Sequence, residues 1–221
     1  MKLAALQTNF CLASALVGLL ATGAALAEDG PEPSVPDGPR FVALYAEACF
    51  PERFSFDATL AHAQSIGWTD RDLVLFDPYT RLMEASRQGY EAEIADGFEA
   101  EMRIAGLWRK DEGRTYVFVV TEVLSEHIDL VGCYVYDFDA TAPIDPAFVT
   151  DLLGQPIAYR TDGDDPLFAQ PESEIVSVVW GPPPDYPRML DTYLTFLPEG
   201  SPHEAVTGFS GLMIKSETSL P

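Results

Sequence analysis

Positive charge is what this sequence has least of. Its 13 lysines and arginines face 35 aspartates and glutamates, for a formal net charge of −22 over 221 residues. A polyanion is repelled by such a chain, and no basic stripe offsets the acidity, so nucleic acid is excluded as a partner. An anionic membrane surface is disfavoured for the same reason. Histidine is scarce too: there are 3, His62, His127 and His203. No two stand four apart, and His203-Glu204 begins an H-E-x-x-H pattern only to meet Thr207 where the second ligand belongs. Phosphate-cradling glycine loops, G-x-G-x-x-G or G-x-x-x-x-G-K-[ST], do not occur. Gly208-Phe209-Ser210-Gly211 places its second glycine one residue early for a nucleophile elbow, and a strand follows it where a helix is required. The sequence therefore assigns no catalytic, cofactor-binding or metal-binding residue.

Cysteine is limited to Cys11, Cys49 and Cys133. Cys11 falls in an apolar run from Phe10 to Leu20 that follows Lys2 and ends in Ala25-Leu26-Ala27 before the acidic Glu28-Asp29. A charged start, an apolar middle and an A-x-A exit read as a secretory signal peptide over residues 1–27, with the periplasm or the medium as destination. Polar Thr8 and Asn9 and small Ser14, Gly18, Thr22 and Gly23 break the run, which argues against a membrane anchor before or after cleavage. Cys49 and Cys133 then remain as an even pair in an oxidising compartment, the expectation for a disulfide worth roughly 4 kcal/mol in chain entropy. A redox-active pair would need closer spacing, as in C-x-x-C.

Residues 28–39 hold four prolines, two glycines and four acids, a solvated tether. A single globular domain is expected from 40 to 221. Phe41, Leu44, Tyr45, Ala48 and Cys49 recur at helical spacing, and Pro51 ends that helix. A second helix runs from an Asp57 cap to Gly67, and a third from Asp77-Pro78 to a stop at Gly89. The period then changes to two. Phe98, Ala100, Met102, Ile104 and Trp108 alternate with charged residues in a half-buried strand. Thr115–Leu124 is apolar on both faces, and Ile128–Tyr136 places Val131, Cys133 and Val135 on one side. A short helix from Asp145-Pro146 to Gly154 leads into a loop of nearly twenty residues, then strands at 174–180, 190–197 and, as an edge strand, 211–216. The order ααα-βββ-α-βββ gives an α+β fold, N-terminal helices packed on a mainly antiparallel sheet of about six strands.

Carboxylates are the remaining chemistry. Asp137 and Asp139 leave the third strand together, and Asp162, Asp164 and Asp165 cluster in the long loop. Such a cluster offers oxygens to calcium, but the EF-hand offsets fail, so solvated turn residues are the expectation and no cofactor is assigned. Arg109, Lys110 and Arg114 form one basic knot, neutralised by Asp111 and Glu112 and read as a solvated hairpin tip. The functional expectation is a small exported soluble domain, non-enzymatic, that binds a protein or small-molecule ligand or serves the cell envelope. The alternative is a hydrolase whose site is assembled from dispersed groups, with Asp137, Asp139, Asp164 and His203 as the residues to follow.

Overall fold

The computed structural model describes residues 35–97, 99–162 and 175–221. The leader at 1–27, the tether through Ser34, Phe98, Asp164 and Asp165 lie outside the described residues. Helices α1 (Gly38–Cys49) and α2 (Phe56–Ser65) are followed by a 3₁₀ turn (Leu73–Leu75) and α3 (Asp77–Ala95). Strands β1 (Ala100–Asp111), β2 (Arg114–Ser125) and β3 (Asp129–Asp137) come next, then α4 (Ala147–Leu153). The rest is β4 (Tyr159–Arg160), β5 (Val176–Trp180), β6 (Met189–Leu197), α5 (Glu204–Thr207) and β7 (Gly211–Ser219). The fold is α+β, with one seven-stranded antiparallel sheet in the order β1-β2-β3-β7-β6-β5-β4.

Two differences from the sequence reading concern the sheet. The seventh strand is β4, two residues long and paired to β5 through Tyr159–Val179 and Arg160–Val178. β7 is the middle strand, not an edge, bonded to β3 on one side and β6 on the other. The side chains of 211–216 do not by themselves say which strands flank it. In the sheet, Leu212, Ile214, Ser216 and Thr218 are buried on one face, while the Lys215 and Glu217 heads emerge on the other. The Lys215 ammonium lies 5.7 Å and 4.9 Å from the ring centres of Tyr134 and Tyr193 and 3.4 Å from Glu217.

Helices cover both faces. Against one face, Phe41, Leu44, Tyr45 and Ala48 of α1, Phe56 and Ala63 of α2, and Val149 and Leu153 of α4 pack on alternate residues of the strands, among them Phe118, Val135, Ile214 and Val178. The opposite face carries Val117, Val119, Tyr136 and Met213 under Leu82 of α3, Leu73 and Phe209. Within the first core Cys49 and Cys133 form a disulfide, Cα atoms 5.7 Å apart, tying the end of α1 to β3. A bridge of this kind persists in an oxidising, extracytoplasmic compartment. Among the described residues no helix is long and apolar enough to cross a membrane.

Local signals explain the remaining departures. Asp37 caps α1 by accepting from the Arg40 N–H at 3.0 Å, so the helix starts two residues before Arg40. Ser55, not Asp57, caps α2, because Ser55 has the extended backbone a cap needs and accepts from Ala58 N–H. α3 runs through Gly89 to Ala95. Gly89 costs about 1 kcal/mol relative to alanine, which good helix formers on either side and the Glu84–Arg87–Glu91 ion-pair ladder offset. The helix stops where Gly97 takes a φ of +96°.

Candidate functional site

The site is built where β3 leaves the sheet. Asp137 is the last residue of β3, and its side chain points to the α1 side, where no solvent reaches it. One carboxylate oxygen accepts from Arg114 Nη1 at 2.5 Å and the other from the Asp139 backbone N–H at 3.2 Å. Arg114, expected at a solvated hairpin tip, is itself nearly buried and reaches inward to this carboxylate. Burial pushes the Asp137 carboxyl up to about 6; the Arg114 charge pulls against that shift and the Asp139 charge adds to it. Burial also raises Asp139. Tyr116, on the same side of the sheet, is pushed up to about 12, first by burial and then by the Asp137 charge.

The turn after Asp137 shapes a cleft of about 390 Å³. Phe138, Asp139 and Thr141 form one wall, Phe196, Pro198 and Glu199 from the end of β6 another, and Pro78 and Arg81 of α3 a third. Ser210 and Gly211 at the start of β7 close the base. That volume lies within the range of small-molecule sites. Gly211 makes the close approach possible: it holds a φ of +101°, and a Cβ there would fall 2.3 Å from the Asp137 carbonyl oxygen. Gly208, with φ +74°, likewise lets the α5 turn sit on α3, since a Cβ would come within 2.9 Å of Ala85, Arg81 and Leu82. Arg81 is 3.7 Å from Glu204, so its charge is shared with α5.

Of the four residues singled out from the sequence, the structure joins Asp137 and Asp139, but only Asp139 lines the cleft. His203 is a turn residue ahead of α5. Its N–H donates to Ser201 Oγ, its carbonyl accepts from Thr207, and it does not line the cleft. Asp164 lies outside the described residues. Asp162, the described member of the calcium candidate cluster, is held by Arg160 through two bonds of 2.8 Å. Among the described residues no group of three or more His, Cys, Asp or Glu side chains is placed to hold a metal ion.

Sequence reasoning missed Arg81, Glu199 and the inward turn of Arg114. Arg81 is one of several charged residues on α3, and the packing of that helix on the sheet and against Gly208 brings it to the cleft. The turn signals Pro198-Glu199-Gly200 and Gly208…Gly211 bracket the other wall, and they are the feature that could have marked it. Comparison of the chain with protein families, with curated proteins and with solved structures returns no match.

Proposed function

We propose that the protein is an exported, extracytoplasmic binding domain that takes a small organic amine in the β3–β6–β7 cleft. The observation that carries this reading is the composition of that cleft: Asp139 and Glu199 face a pocket with apolar walls of Phe138, Phe196, Pro78 and Pro198. Arg81, the cation among its lining residues, is shared with Glu204. Two carboxylates between apolar walls suit an ammonium on a hydrocarbon body, and the acidity of the whole chain concentrates cations around it. Export rests on the leader-like sequence at 1–27, with the periplasm or the medium as destination, and the buried disulfide supports an oxidising compartment.

Hydrolysis by Asp137 and Asp139 is the second reading, favoured by two neighbouring carboxyls that both hold their protons more tightly than usual. Against it, Asp137 has both oxygens engaged and does not line the cleft. The test is calorimetric titration of the purified protein with alkyl, aryl and polyamine probes, each beside its neutral alcohol, at roughly 150 mM salt to screen non-specific attraction. Amines that bind where the alcohols do not, and that are lost in D139N and E199Q, support the binding domain. Equal behaviour of amines and alcohols overturns it. Turnover of ester, phosphate or glycoside probes that disappears in D137N would put the hydrolase in its place.

A further inference from the structure

The sheet has two edges, and they are unlike. Among the described residues β4 ends one side with two residues. β1 ends the other with twelve. Long flat edges are normally blunted, because their unpaired N–H and C=O groups are a template for another strand. The bonds at the two ends of β1 show which groups face outward. Trp108 N–H and C=O exchange bonds of 2.8 and 2.9 Å with Thr69, away from β2. The pairing of β1 with β2 has no register shift, so Gly106, Ile104, Met102 and Ala100 also direct their backbone groups outward. Tyr90 Oη donates to the Ala100 carbonyl at 2.7 Å. Between these two closures, the N–H and C=O groups of Met102, Ile104 and Gly106 have no partner among the described residues.

Two of the usual guards are missing here. There is no proline and no bulge over the open span. Arg103, the cation that could shield it, is drawn onto the α2 side by Asp57 and Glu122 and lies 4.2 Å from the Phe56 ring centre. Ile104 stays 38% exposed, although the alternation of the sequence points it inward. It borders a recess of about 230 Å³ between the sheet and α3, walled by Leu82, Met83 and Met102. At the Ala100 end of the strand lies a broad depression of about 800 Å³ lined by Ile94 and Leu124 together with Glu99, Glu101, Glu126 and Asp129.

We propose that the open edge of β1 between Ala100 and Gly106 is a docking site for an extended, basic segment of a partner protein, which adds to the sheet as an eighth strand. Every pair in this sheet is antiparallel, and an added strand that continues the pattern runs opposite to β1. Its residue opposite Ile104 places an apolar side chain toward the recess beside α3. Its C-terminal end then reaches the acidic depression, where a lysine or arginine finds four carboxylates. A second copy of this chain is a poor occupant, since it would bring another net charge of −22 to the same acidic end. This site is separate from the cleft and does not depend on what the cleft binds.

The probe is a fluorescein-labelled peptide, Thr-Val-Thr-Ile-Thr-Val-Lys-Arg, read by anisotropy, with a scrambled peptide of the same composition as reference. Two N-methylated versions differ only in which alternate amides are blocked. In an added strand one set faces β1 and the other faces solvent, so one version loses at least about tenfold in affinity and the other does not. The same loss is expected in I104P, which removes an outward N–H and leaves the β2 bonds intact, and in I104K, the residue type that native edges use. E101K with E126K weakens the basic peptide and not a version with both basic residues replaced by serine. Because the N-methyl comparison uses unaltered protein, a misfolded variant does not mask the answer. Equal effects of the two methylation registers, or equal binding of the scrambled peptide, overturn the proposal. Concentration-dependent dimers that I104K abolishes overturn it too, in favour of a second copy. Amine binding in the cleft remains unchanged in I104K.

Discussion

Replacing both bridge cysteines, in C49A/C133A, removes a crosslink that closes 84 residues of chain. Loop-closure entropy for that length gives about 4.5 kcal/mol of stabilisation, lost from the denatured side because the unbridged chain has more conformations. Against the 5–15 kcal/mol typical of a domain, this is roughly a third or more of the total. For a domain of this size each kcal/mol moves the thermal midpoint by about 2–4 °C, so the loss is roughly 9–18 °C. The assay is thermal unfolding followed by circular dichroism on three samples: oxidised wild type, wild type reduced after unfolding and refolded with reductant, and C49A/C133A. Reduced wild type keeps both sulfurs in the core, so its difference from C49A/C133A measures the small voids, and its difference from oxidised protein measures the crosslink. The geometry adds a kinetic expectation. Cys49 and Cys133 are 1% and 4% exposed, so a reductant reaches them only after the α1–β3 packing opens. A midpoint drop below about 3 °C would refute the entropic reasoning. Rapid reduction of the folded protein at low reductant would refute the burial reasoning and revive a redox role for the pair.

Three further expectations follow from particular residues. Asp137 titrates near 6 by carboxyl NMR, and R114M moves it higher, because the Arg114 charge opposes the effect of burial. The sign for stability follows: a carboxyl whose folded pKa is raised stabilises fully below the unfolded value near 3.8 and loses that contribution as pH rises through about 6, so the chemical-denaturation midpoint increases from pH 8 to pH 5; a flat profile with an unshifted Asp137 would contradict the burial argument. Gly211→Ala destabilises by roughly 3 kcal/mol or more, since its Cβ would meet the Asp137 carbonyl at 2.3 Å in a backbone region that suits glycine. Gly89→Ala stabilises by about 0.5–1 kcal/mol, because a Cβ in that helical position meets nothing within 4 Å; urea unfolding of the two variants should show opposite signs.

The helical faces were legible because burial follows from spacing: Phe41, Leu44, Tyr45 and Ala48 are all inaccessible to solvent, as their recurrence demands. The alternation of Val131, Cys133 and Val135 was equally direct, and it placed the bridge on the correct face. What local pattern does not carry is order across the sheet. β7 reads as an edge only from the sequence; polarity in a short strand fits either an exposed edge or the solvent-facing side of an interior strand, and pairing with β3 and β6 decides for the interior. β1 reads as half-buried from its alternation, which is silent on its place in the sheet: Ile104 sits on the inward phase, and the strand it belongs to is the boundary. The cleft was half visible. Asp137 and Asp139 stand together in the chain, whereas Arg81 and Glu199 come from elements far away in sequence, joined there by two glycines whose positive φ angles allow the backbones to touch.

The position of β7 makes the integrity of the whole sheet depend on one strand. It follows every other element along the chain, yet β3 and β6 meet only through it. On either side of it stand two three-stranded meanders, and Gly211–Ser219 bonds to the inner margin of each. Without Gly211–Ser219 the β1–β2–β3 and β4–β5–β6 meanders share no bonded strand, so the pairing of that one strand makes a single sheet of two.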